Sequence, residues 1–96
     1  IQKNRNDSFS KFALALELKK IGFAADKIEA LFKDILIHDA DYVGLYYHYG
    51  AFLEEHERKE EALRIYEQGM QVAQKKQDQH ALSELMNAKM QLEMDF

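Results

Sequence analysis

The stretch YYHYGAFLEEHERKEEALRIYEQG runs from Tyr46 to Gly69 and opens with three phenol rings and an imidazole in five residues. Such a cluster fits a base-stacking platform, part of a metal site, or core packing. Deciding among the three largely decides what the chain does. The cluster lies on a helix expected from about Tyr42 to His56, and the charged run HERKEE follows it as a turn. After it, Ala62, Leu63, Tyr66, Gly69, Met70 and Ala73 form the expected inner face of a second helix.

Outward from this pair the chain reads as helix throughout. Upstream, FSKFALALELKK is rich in Ala, Leu, Lys and Glu and lacks β-branched residues. Phe9, Phe12, Ala13 and Leu16 are its expected apolar positions. Residues Ile1 to Asp7 are polar and expected to fray, with Asp7 or Ser8 as the N-cap and Gly22 ending the helix. Ile28, Leu31, Phe32 and Ile35, broadened by Leu36, mark the next helix. Asp39 or Asp41 is the expected cap of a helix from about Tyr42 to His56. Downstream, QKKQD ends the fourth helix. Asp78 is placed to cap a fifth, whose apolar side holds Ala81, Leu82, Leu85, Met86 and Leu92. Five helices joined by short turns predict an all-α domain of antiparallel helical hairpins.

Composition narrows the function. Ninety-six residues form one small domain, and 47% hydrophobic with 31% charged residues fits a folded chain. A net charge of −4 disfavours a nucleic-acid binder, which needs positive charge along the phosphates. No apolar run approaches the roughly 18 residues of a membrane span. The chain has no cysteine, hence no disulfide or thiolate site. That is compatible with a reducing compartment, and a cytoplasmic location is expected. Because the chain begins at Ile1 rather than Met, an upstream signal or domain stays open.

Catalytic and metal motifs are missing. His48 and His56 lie eight residues apart, about 80° around a helix, so they do not share a tight face. HDAD (residues 38–41) lacks the glycine and terminal glutamate of a calcium loop. There is no glycine-rich phosphate loop and no nucleophile elbow. No enzyme, metal or cofactor is expected, and the histidines are assigned to surface or packing roles.

Period decides the rest. From Tyr46 onward the sequence resembles the tetratricopeptide repeat, a helix–turn–helix unit of about 34 residues. Tyr46 stands at the family's first aromatic, Tyr49 and Gly50 at its large–glycine pair, and Ala62 and Tyr66 at its small–aromatic pair. Gly69 meets the later small position; Leu53 replaces an aromatic, and Gln74 stands where proline closes the motif. The resemblance implies that Gly50 and Ala62 let two helices cross closely. It puts Tyr46 and Tyr66 between hairpins, and makes Gly69 the seat of the next helix. One period back, Tyr46 maps to Phe12 and Tyr66 to Phe32, but the small positions become Leu16, Ile28 and Ile35. The forward register gives His80, Ser83, Glu84 and Asn87, a poor match. The implied division is a single domain over 1–96: a degenerate repeat at 9–42, a clear repeat at 43–76 and a capping helix at 78–94, as a short right-handed superhelix.

The resemblance further implies an interaction scaffold whose groove is lined by the first helix of each repeat. Those positions are Ala13, Glu17 and Lys20, with Ser10, from the first unit. Tyr47, Ala51, Glu54 and Glu55, with Gly44, come from the second, and the capping helix adds Asp78, Ala81 and Leu85. Tyr47 is the principal candidate contact. Some family members hold the carboxylate tail of chaperones with Lys, Arg and Asn. Here Ala13, Glu17, Tyr47 and Ala51 stand in those places, so an apolar segment with positive charge is the expected protein or peptide partner. The alternative is homo-oligomerisation, or assembly within a longer repeat protein, through Phe9, Phe23 or Met86, Met90 and Met94.

Overall fold

Asp7 starts the first helix by accepting hydrogen bonds from the amide (3.2 Å) and hydroxyl (2.8 Å) of Ser10. In the computed structural model, which describes residues 7–95, it is followed by α1 (Ser8–Lys20), α2 (Ala25–His38), α3 (Gly44–Glu55), α4 (Lys59–Lys75) and α5 (Gln79–Met94). No strand occurs among the described residues. Of the segment expected to fray, residues 1–6 lie outside them, and Asp7 is the cap of α1. The chain divides into two compact units, one ending at Tyr42 and the other beginning at Val43.

In the first unit α1 packs on α2. The Ser8 hydroxyl donates to Asp39 Oδ2 (2.7 Å), and Lys11 pairs with Asp34, so the helices run antiparallel. These polar contacts turn Ser8, Lys11, Phe12 and Ala15 inward, and Phe12 meets the Tyr42 ring at 5.4 Å between centroids. The expected face is therefore corrected. Ala15 is fully buried, whereas Ala13 is exposed and Phe9 is 69% exposed. The Lys11 ammonium beside Asp34 holds that carboxyl below its usual range against some burial, with His38 helping. On α2 the expected stripe buries Ile28, Phe32 and Ile35.

Asp39 does not cap α3, and nor does Asp41, which corrects a second expectation. Asp39 ends α2, its amide bonded to the Ile35 carbonyl and its carboxylate already used by Ser8. The Tyr42 amide returns to the Asp39 carbonyl (2.9 Å), making a turn. Helix α3 consequently begins at Gly44, after Val43, without a side-chain cap. By contrast Asp78 caps α5 as expected, accepting from the Ala81 amide at 3.0 Å.

In the second unit α4 lies between α3 and α5, and α3 also touches α5. The core consists of Leu45, Tyr46, Tyr49, Phe52 and Leu53 from α3, Ala62, Ile65, Tyr66 and Ala73 from α4, and Leu85 and Leu92 from α5. Met70 and Leu63, expected inside, are half-buried, and Met86 is exposed. Two tyrosine–glycine pairs set the separation of α3 and α4. A Cβ added at Gly50 would lie 2.6 Å from Tyr66 Cδ1, and one at Gly69 would lie 2.8 Å from Tyr46 Cγ. Each ring thus lies across the glycine of the facing helix, inside this one hairpin. The same added Cβ at Gly69 would lie 3.0 Å from Leu85 Cδ1, so the glycine also leaves room for α5 to rest on α4.

Candidate functional site

Because Gly50 has no side chain, the Tyr66 ring reaches past α3 and its hydroxyl donates to Glu54 Oε2 at 2.6 Å. Burial first, then this hydrogen bond and the Glu54 charge, push the Tyr66 phenol far above its usual range. The phenol therefore stays a donor, and one oxygen of the Glu54 carboxylate is held in place.

Around Glu54 opens a cleft of about 510 Å³. It is lined by Tyr47, Ala51, Glu54 and Glu55 of α3, Tyr66 of α4, and Glu84, Asn87, Ala88 and Gln91 of α5. Tyr47 is 41% exposed, with its ring 5.5 Å from His48 in an edge arrangement. Three of the lining residues are glutamates and none is Lys or Arg. The wall is one of carboxylates and amides around an aromatic ring.

The structure places the four α3 positions together on this cleft. Ala13, Glu17 and Lys20 share an exposed face of α1 in the other unit. Ser10 is occupied with Asp7. Leu85, expected to add to the groove, is only 1% exposed and belongs to the core. The α5 contribution comes instead from Glu84, Asn87, Ala88 and Gln91, whose three- and four-residue spacing is a helical face readable in the sequence. That face escapes notice because it is polar and the repeat register fails there.

The histidines have local partners. The Nδ1 of His56 bonds to the Phe52 carbonyl (2.9 Å), His38 lies beside Asp34, and His80 lies 3.2 Å from Glu84. Among the described residues no three His, Asp or Glu side chains gather where they would hold a metal ion. No described helix is long and apolar enough to cross a membrane.

No protein-family model matches the chain, and no curated protein matches it either. Solved structures do. A crystal structure of a tetratricopeptide repeat domain protein from Salinibacter ruber is 41% identical. The match covers 91% of this chain and 97% of that one, at a TM-score of 0.85. A solution NMR structure of a tetratricopeptide repeat domain protein from the same organism is 40% identical, covering 95% of this chain and 91% of that one, at a TM-score of 0.87. This identity extends over nearly the whole length and agrees with the glycine–tyrosine packing between α3 and α4; the chain belongs to the tetratricopeptide repeat family.

Proposed function

We propose that the chain is an interaction module that holds an extended segment of a partner protein along the first helices of its repeats. The tetratricopeptide repeat fold suggests a scaffold for protein partners, and it is typically non-catalytic. In this reading residues 9–42 form a degenerate repeat, 43–76 a clear one, and 78–94 the helix that caps it. The observation that supports the reading most is the cleft lined from α3 and α5, with half-exposed Tyr47 on its wall. An aromatic in a concave wall supplies contact area at low entropic cost. Ala13, Glu17 and Lys20 on α1 belong to the same proposal as further contacts.

The test is affinity capture with the wild type and with Tyr47→Ala and Ala51→Arg, read by mass spectrometry. A genuine partner is retained by the wild type and lost by both variants. A partner retained equally by all three removes the cleft from the account. A second reading, homodimerisation, draws on Met86, Met90 and Met94, which are 45%, 57% and 80% exposed along α5. Light scattering over a range of concentrations decides it, and a constant monomer mass eliminates it.

A further inference from the structure

The charges of the second unit are unevenly placed. The whole chain carries 13 Lys and Arg residues against 17 Asp and Glu, yet the cleft wall has three glutamates and no basic residue. Glu54 and Glu55 stand on α3 and Glu84 on α5, so negative charge faces the opening from both walls. A cleft lined by one sign of charge between low-dielectric walls focuses the field and favours counter-charged ligands. Glu54 is fixed by the Tyr66 hydroxyl, so this acceptor needs no ordering when a ligand arrives. Beside the carboxylates, Tyr47 offers a partly exposed ring and Ala51 a short side chain that leaves space above the wall.

We infer that the cleft is a receptor for a basic segment of a partner protein, an arginine or lysine next to an apolar residue. The proposal rests on the reading of the cleft as the partner site. A long basic side chain lays its aliphatic stem along Ala51 and Tyr47 and carries its charged head to the glutamates. Arginine is favoured over lysine, because a planar guanidinium stacks on a phenol ring and forks onto a carboxylate. Asn87 and Gln91 supply amide donors and acceptors for the segment's own backbone. Cavity, aromatic wall and two-sided charge together specify this occupant.

The experiment uses the full chain and an array of immobilised short peptides of randomised sequence. Peptides carrying Arg or Lys beside an apolar residue are expected to be enriched. Resynthesised with a fluorophore and followed by anisotropy, they weaken as salt is raised. They bind Glu55→Lys/Glu84→Lys roughly tenfold more weakly than the wild type. Thermal melts confirm that the variants fold, and Glu55→Gln/Glu84→Gln gives the same direction with a smaller change. Enriched peptides without basic residues that still depend on Tyr47 overturn the charge inference and leave the cleft reading standing. Peptides indifferent to both Tyr47→Ala and the charge reversal overturn both readings, as does an array with no enrichment.

Discussion

Gly50 has no side chain because Tyr66 occupies the space one would need. Alanine is ordinarily better than glycine in a helix by roughly 0.5–1 kcal/mol. At this position the sign reverses, and Gly50→Ala is expected to destabilise the fold by about 1–3 kcal/mol through overpacking. In a Tyr66→Leu background the ring is gone, and Gly50→Ala becomes stabilising. Urea denaturation of the four members of the cycle measures the reversal, and additive effects would show that the two residues are not coupled. The same tyrosine gives the fold an alkaline limit. Its folded phenol is raised by burial and by Glu54, so the native chain keeps a proton that the unfolded chain releases near pH ~10. Stability is full below that pH and declines as pH rises above it. Tyr42 in the other unit contributes in the same direction, raised by burial and by the Asp39 and Asp7 charges. Tyr66→Phe is therefore expected to flatten part of the decline in urea midpoint above pH ~10. An unchanged slope would remove Tyr66 as its source.

Three helices end in one way, with the backbone turning left-handed just past the helix. Gly22 (φ 69°), Glu57 (φ 62°) and Gln77 (φ 59°) hold this conformation after α1, α3 and α4. In each case two amides fold back on the last-turn carbonyls, as Gln77 to Gln74 and Asp78 to Ala73 after α4. Only the first site has the residue that adopts such a φ without steric cost. Gln77→Gly and Glu57→Gly are thus each expected to raise stability by a few tenths to about 1 kcal/mol, read as an increased melting temperature. Sequence showed the first of these ends through Gly22 itself, and the other two through charged and polar runs rather than through a turn residue. It also showed the cap at Asp78, and Asp7 as one of two candidates beside Ser8, because a carboxylate beside a helix start acts over three residues. It could not show the duty of Asp39, whose partner Ser8 is 31 residues away. The face of α1 was obscured for the same reason. Hydrophobicity pointed to Phe9, but Ser8 and Lys11 set the rotation through acidic residues at the other end of α2 or beyond it.

At the scale of the molecule, the two units differ in how well they follow their repeat pattern. The unit beginning at Val43 keeps glycine and alanine where helices approach, and its aromatic core was readable from the resemblance. The unit ending at Tyr42 has Leu16, Ile28 and Ile35 in the corresponding places. Helix α1 buries only Ser8 and Ala15 of its 13 residues, while α4 buries Ala62, Ile65, Tyr66, Gly69 and Ala73 of its 17. Amide hydrogen exchange is consequently expected to be faster along α1 than along α4, and equal protection would contradict this ordering. The candidate site was half legible by the same logic. Tyr47, Ala51, Glu54 and Glu55 follow from the repeat register, whereas Glu84, Asn87, Ala88 and Gln91 became apparent only once α5 was seen beside α3. The hydroxyl contact between Tyr66 and Glu54 also has an optical side. The chain has no tryptophan and five tyrosines, so its ultraviolet emission is tyrosine emission. A phenol bonded to a carboxylate is a dim emitter, because the excited ring passes its proton to the acceptor. Removing the carboxylate, as in Glu54→Ala, is therefore expected to brighten the chain, so that its emission reports whether this one contact is formed.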